Sequence, residues 1–309
     1  CCKISRDADV FVDDASTSEK MVEQLKKKVK KRKIGAVCRF VYDRHMPQDY
    51  LDYLADAFDI NRDELIPGDK HLNLEDLSHL PNPNKELLAA CKPQPMYLDC
   101  LGKKQSVFRY VGKRDLLLHY PYYSFDHFIH FLYEAVHDPS VKEIMITQYR
   151  VAPHSEVINT LIAAAQNGKR VTVFVELKAR FDEENNLATA ELMQKAGIHI
   201  IYSIPGLKVH AKVALVLRYH KDGRPKKSFA YISTGNFNEK TATVYADSAL
   251  VTSNQEMVDD LHNLFRLLSK EITEPKFKHL LVPRFNLLPE LKRRLGFEMN
   301  MACAGKKAH

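Results

Sequence analysis

Apolar side chains in the last two-thirds of the chain switch regularly between two periods. Residues 116–119 form a short extended run, after which Phe125, Phe128, Ile129, Leu132 and Val136 recur at the three- and four-residue spacing of one helical face. Residues 143–149 read as a strand and residues 154–166 as a helix stopped by Asn167-Gly168. Residues 171–177, 184–196 and 198–203 then read as strand, helix and strand. That alternation predicts an α/β domain with a mixed, mainly parallel sheet covered by helices. Residues 209–219 and 227–233 flank Lys-Asp-Gly-Arg-Pro and predict a hairpin. Residues 243–251 predict a further strand, and Met257, Val258, Leu261, Leu264, Phe265 and Leu268 an amphipathic helix.

Upstream the texture differs. Met21, Val22, Leu25 and Val29 share a helical face, residues 34–42 are strand-like, and a helix opens near Pro47 carrying Tyr50, Leu51, Leu54 and Phe58. Beyond Pro67-Gly68, Pro81, Pro83, Pro93 and Pro95 read as a connector. Two domains are expected: a helix-rich α+β region over 1–104 and the α/β domain over 105–309. No internal repeat is evident.

Composition narrows the class only modestly. With 45% apolar and 28% charged residues among 309, the chain can bury a sizeable core. Glycine, at 11 residues, is too scarce for a collagen-like or linker-like chain. No apolar run reaches the ~18 residues needed to span a bilayer. A net charge of +7 favours an anionic partner. The six cysteines form no C-x-x-C pair, so reduced thiols of a cytoplasmic protein are expected rather than a disulfide framework or zinc site. The chain starts at Cys1 and ends in Ala-Gly-Lys-Lys-Ala-His, which suggests a piece of something longer.

Candidate chemistry concentrates in Gly206-Leu-Lys-Val-His-Ala-Lys212 and Ser233-Thr-Gly-Asn-Phe-Asn-Glu-Lys-Thr241. Within one strand, His210 and Lys212 would point to the same face. A histidine that attacks phosphorus must be neutral at the attacking nitrogen, and a neighbouring ammonium disfavours the imidazolium. Lys212 could also hold phosphoryl oxygens as charge moves onto them. The loop offers backbone N–H groups and the amides of Asn236 and Asn238. His-x-Lys alone is also what a solvated strand face shows. Arg150 and Arg180 each follow a strand-like run, where an open α/β sheet binds ligands, and their forks suit phosphate. Glu183 or Glu184 offers Arg180 a structural ion pair instead; Arg150 has fewer acids nearby in sequence. Lys26 to Lys33, seven basic residues in eight, reads as a solvated helix face or as a track for a polyanion.

Several long segments together resemble the long bacterial polyphosphate kinases. They are Arg-Asp-Leu-Leu-Leu-His-Tyr-Pro-Tyr (114 to 122), Asp-Pro-Ser-Val (138 to 141) and Tyr-Arg-Val-Ala (149 to 152). To these are added Val-Glu-Leu-Lys-Ala-Arg-Phe-Asp-Glu (175 to 183), Pro-Gly-Leu-Lys-Val-His-Ala-Lys (205 to 212) and Thr-Gly-Asn-Phe-Asn-Glu-Lys-Thr-Ala (234 to 242). The likeness is dense from about 105 to 275 and looser before, where Arg39-Phe-Val-Tyr-Asp-Arg-His-Met-Pro47 stands out.

The resemblance implies part of a head domain followed by the first C-terminal domain, of phospholipase D type. It implies reversible transfer of the ATP γ-phosphoryl group to polyphosphate, with ADP released, through a phosphohistidine at His210. It places nucleotide at Tyr245. It also assigns the positions of Arg150 and Arg180 to magnesium; a guanidinium does not ligate a cation, so phosphate of a magnesium–phosphate complex is the implied contact. A homo-oligomeric full-length enzyme, no required nucleic acid, and a cytoplasmic location with peripheral inner-membrane contact as the alternative are also implied.

The chain departs from this pattern in places. Phospholipase D motifs carry Asp five residues after the lysine, where this chain has Leu217, leaving Asp247 and Glu239 as candidates to back the imidazole. The family's second histidine falls beyond His309, and its N-terminal domain is not in this sequence, so little activity is expected of this chain alone. Rival readings are a phospholipase-D-type phosphodiesterase and an inactive polyanion-binding fragment.

Overall fold

The computed structural model describes residues 1–6, 22–24, 26, 35–84, 87, 94–98, 101, 105–152, 154–177, 179, 182–203 and 207–308. They fall into two compact units, Cys1–Pro93 and Gln94–His309. The division lies upstream of the 104/105 boundary expected from sequence. The reason is local: Met96 N donates to Tyr122 O at 2.7 Å and Ser124 N donates to Met96 O at 3.0 Å, tying residues 94–98 to the second unit.

The first unit carries a three-stranded sheet of β1 (Cys2–Arg6), β2 (Val37–Asp43) and β3 (Leu65–Gly68), with α1 (Gln48–Ala57) between β2 and β3. Phe40 and Leu51, buried from β2 and α1, anchor its small core. The helix expected over Met21 to Val29 and the lysine run from Lys26 to Lys33 lie mostly outside the described residues, of which 22–24 and 26 are helical.

The second unit is built on seven strands: β4 (Leu116–Tyr120), β5 (Val141–Gln148), β6 (Arg170–Val175), β7 (His199–Tyr202), β8 (Lys212–Tyr219), β9 (Pro225–Ser233) and β10 (Asp247–Thr252). Their order is β4-β10-β9-β8-β5-β6-β7. The helices are α2 (Val107–Val111), α3 (Asp126–His137), α4 (Glu156–Gln166), α5 (Glu183–Lys195), α6 (Gln255–Leu268) and α7 (Leu287–Cys303). The α/β class and the mixed sheet are as expected, but parallel pairing is confined to β5-β6-β7, and β4, β10, β9, β8 and β5 pair antiparallel. Helices α4 and α5 cross over between the parallel strands; after β7 the next described element is β8, which pairs antiparallel to β5.

Strands β5 and β8 are buried along most of their length, as strands covered on both faces must be. Val213, Leu215 and Leu217 pack with Leu261, Phe265 and Leu268 of α6. Leu217, which stands where a phospholipase D motif carries Asp, is therefore a core residue. Elsewhere in the unit Phe128 stacks on Phe237, with ring centroids 4.5 Å apart, and Phe108 on Phe229 at 4.3 Å. Gly168 ends α4 as the sequence predicts, at φ 75°, a conformation costly for other residues.

Beyond α6 the chain folds back as a strap. Buried Asp260 accepts N–H bonds from Lys278, His279 and Leu280 at 2.7–3.0 Å, while Glu256 pairs with Lys278 Nζ at 2.7 Å and His279 Nε2 at 2.8 Å. Among the described residues no helix is long and apolar enough to cross a membrane. Cys1, Cys2, Cys38 and Cys303 are free.

Asp260→Ala strips three backbone donors of their acceptor and is expected to cost about 2 kcal/mol. Hydrogen exchange at residues 278–280 should accelerate strongly in that variant and less in Asp260→Asn, which keeps one acceptor oxygen. Unchanged protection in both would show that the strap is held by other contacts.

Candidate active site

One edge of the second sheet carries the C-terminal ends of β5, β6 and β9 and the starts of β8 and β10. Lys212 pairs with Ser233, Ile146 with Ala214, and Val175 with Gln148, so the connections after residues 148, 175 and 233 and before residue 212 meet there.

His210 does not lie in a strand, contrary to the sequence expectation; β8 begins at Lys212. Thr147 supplies the physical reason. Its Oγ1 donates to Ala211 O at 2.8 Å and accepts from Val213 N at 3.0 Å, so a side chain replaces the ladder there. The two candidate residues nevertheless converge. Lys212 Nζ lies 2.9 Å from His210 Nδ1 and donates to His210 O at 2.6 Å. Lys212 is buried at 5% exposure, whereas His210 is exposed.

Burial, then Lys212, Lys208 and Arg150 in that order, push the His210 pKa below the usual histidine value, so the neutral ring is favoured. Burial also lowers Lys212 to about 8, assisted by Arg150 and opposed by Asp247. A charged Lys212 can only donate to Nδ1, which leaves the ring proton on Nε2. A neutral Lys212 can accept from Nδ1–H and expose the Nε2 lone pair.

Tyr149 is one residue that sequence reasoning missed. Its ring meets His210 edge-on at 4.9 Å, and Lys212 Nζ, Lys208 Nζ and Arg150 Cζ lie 5.2, 5.8 and 5.9 Å from its centroid. Its position beside Arg150 was the available signal. Glu176 was also missed. Buried at 1% exposure, it accepts from Val209 N at 2.9 Å and Ser203 Oγ at 2.7 Å, fixing the segment that delivers His210. A lone acid in the apolar run 173–177 was its signal.

Other candidates are placed differently. Arg150 Nε lies 2.9 Å from Asp182 Oδ2, an acid distant in sequence but adjacent in space. Burial raises the Asp182 pKa even though Arg150 opposes it. Arg180 lies outside the described residues. Asn238 is buried, and its Oδ1 accepts from Lys240 N and Thr241 N at 3.0 and 3.1 Å, shaping the turn that follows. Asn236 Oδ1 is buried and has no hydrogen-bond partner among the described residues. Tyr245 is 62% exposed in the same loop.

Neither candidate for backing the imidazole is bonded to it. Glu239 Oε1 accepts from Ser155 Oγ at 2.8 Å and Val157 N at 3.2 Å at the start of α4. Asp247 Oδ1 accepts from Thr234 Oγ1 at 2.8 Å and acts electrostatically on Lys212. Lys212 itself occupies Nδ1. A Cβ on Gly235 would stand 2.5 Å from Asp247 Oδ2, so only glycine admits this carboxylate. Among the described residues no group of three His, Cys, Asp or Glu side chains is placed to hold a metal ion.

Two sequence families match this arrangement: the polyphosphate kinase middle domain over residues 1–80 and the polyphosphate kinase C-terminal domain 1 over residues 106–274, more than half of the chain. The chain belongs to the polyphosphate kinase family. It is 39% identical over 307 residues to a polyphosphate kinase of Vibrio vulnificus strain CMCP6, covering 99% of this chain and 43% of that protein. It is likewise 39% identical to a polyphosphate kinase of Escherichia coli K12, covering 96% of this chain and 42% of that one. The crystal structure of polyphosphate kinase from Porphyromonas gingivalis superposes with a TM-score of 0.71 at 44% identity, covering 87% of this chain and 43% of that chain. The chain thus spans less than half the length of these relatives.

Lys212→Met should raise the His210 pKa, because it removes a cation that disfavours the imidazolium. Burial remains, so the value should not fully recover. Histidine proton NMR titration measures this, and a fall or no change would mean that Lys212 exerts no field on the ring. Gly235→Ala should displace Asp247 and lower the Lys212 pKa further, since Asp247 favours its charged form.

Proposed function

We propose that this chain carries the phosphoryl-accepting centre of an ATP:polyphosphate phosphotransferase, with His210 as nucleophile. The contact between His210 Nδ1 and a buried Lys212 Nζ at 2.9 Å is the observation that carries the reading. It is supported by the lowered His210 pKa and by Lys208 and Arg150 gathered around Tyr149.

In this reading the unprotonated ring nitrogen attacks the γ-phosphorus of ATP; the N–P bond forms as the bond to the ADP oxygen breaks. The terminal phosphate oxygen of polyphosphate then attacks the phosphohistidine, lengthening the polymer and restoring the imidazole. Splitting one displacement into two is covalent catalysis. Neutral Lys212 accepts from Nδ1–H and takes that proton as the N–P bond forms, and with Arg150 it then counters the charge on the transferring group, with Arg180 assigned the same task from the family likeness. Tyr245, exposed in the loop before β10, is offered to the nucleotide, and Asn236 Oδ1 to a hydroxyl donor on its sugar. Magnesium enters with the nucleotide as part of the substrate; the described residues offer it no cluster of their own.

Since the relatives are more than twice as long, this chain alone is expected to sustain little polymer growth from ATP, magnesium and a polyphosphate primer. Growth at ~1–10³ s⁻¹, the range of ordinary enzymes, would overturn that expectation. Placed in the frame of the Vibrio vulnificus relative over the aligned residues, the chain should take label from γ-labelled ATP as an alkali-stable, acid-labile adduct. His210→Gln should abolish the adduct. Lys212→Ala should slow its formation by ~10²–10³, the usual cost of one electrostatic donor. Label that persists in His210→Gln and maps elsewhere would refute the assignment.

A further inference from the structure

The His210–Lys212 pair belongs to the lining of a cavity of about 470 Å³, most of whose other lining residues are apolar. All its lining residues belong to the second unit. Leu261, Leu264, Leu267 and Leu268 of α6 form one wall, and the strap at residues 280–285 forms another. Asp260 and Glu256 hold the strap down just before it reaches the cavity. Three cations, Lys208, Lys212 and Arg284, line the space, and no acidic side chain does among the described residues.

We propose that this cavity binds a single-chain amphiphile bearing a terminal phosphate, its head beside Lys208, His210 and Lys212 and its chain among the leucines of α6. The size suits a small molecule, and the charge is complementary to an anionic head. A nucleobase or sugar set among the leucines of α6 would bury donors and acceptors away from the polar groups of the lining, which are Ser233, His210 and the three cations. A polyphosphate tail would lose its hydration against the same walls. An alkyl chain has no polar group to desolvate there, and each methylene taken from water strengthens binding about fourfold. A molecule so placed covers His210, so it acts as an occluding ligand rather than a phosphoryl donor.

The test uses the 309-residue chain with octyl phosphate and decyl phosphate, each below its micelle concentration, against inorganic phosphate and octanol. Calorimetry should give one site per chain, octyl phosphate at least tenfold tighter than either fragment, and decyl phosphate about sixteenfold tighter again. Saturating octyl phosphate should slow modification of His210 by diethyl pyrocarbonate at least tenfold, and inorganic phosphate at the same concentration should not. Leu267, half-buried at the cavity wall, allows a charge to be introduced: Leu267→Glu should weaken octyl phosphate at least tenfold and Leu267→Met should not.

Equal affinity for both alkyl phosphates and inorganic phosphate would overturn the proposal, leaving only an anion at the cationic rim. Full affinity in a folded Leu267→Glu protein would overturn it as well, by placing the chain elsewhere. If that variant does not fold, the chain-length series in the unaltered protein still decides. None of these readouts needs ATP or polyphosphate, so failure here is distinguishable from failure of the phosphotransfer reading.

Discussion

Strand β8 runs antiparallel to β5 while β6 and β7 run parallel to it, and the candidate site depends on that reversal. Had the chain made another right-handed crossover after β7, the start of the next strand would lie at the opposite edge of the sheet from the ends of β5 and β6. Instead residues 207–212 return to the edge where β5 and β6 end. Thr147 locks the return by taking both Ala211 O and Val213 N with one hydroxyl. The buried carboxylate of Glu176 locks it from the other side through Val209 N. His210 is thus held by its neighbours' backbone bonds while its own ring stays exposed.

The electrostatics follow from the same gathering. Lys212 enters at the start of a strand buried along its length, and desolvation lowers its pKa before any neighbour acts. Lys208 and Arg150 then add repulsion, and each disfavours a proton on His210. Such a cluster is uncomfortable empty and relieved by an anion, which is the behaviour phosphoryl transfer asks of its scaffold. Asp247 moderates the repulsion without bonding the imidazole, and glycine at 235 is what lets it approach.

Side-chain type alone did not show what two residues of the Gly-Asn-Phe-Asn-Glu segment hold within the fold. Asn238 and Glu239 look like ligand-binding groups, yet one shapes a turn and the other holds the start of α4. Backbone N–H groups at turns and helix starts need acceptors whether or not a ligand is present. Tyr149 and Glu176 show the reverse case. They look like ordinary strand-end residues, and the tertiary arrangement puts them against the candidate nucleophile or the segment that carries it.

What the sequence determined by itself was local. Periodicity located β4 to β7 and α3 to α6 to within a few residues, since spacing reports which face is buried. Asn167-Gly168 marked the end of α4 because the backbone there needs a left-handed residue. The pairing of a histidine with a lysine two residues on was legible too. Strand direction was not legible, because a strand buried on both faces reads alike in parallel and antiparallel pairing. The starts of β8 and β10 were placed too early, since Val209 and Val244 look like strand residues although no strand pairs with them among the described residues. The partner of Arg150 was likewise decided by tertiary structure, as Asp182 lies beyond the next strand in sequence yet within 2.9 Å in space. Long-range pairing, burial and the field at a side chain depend on which segments meet, and no local pattern encodes that.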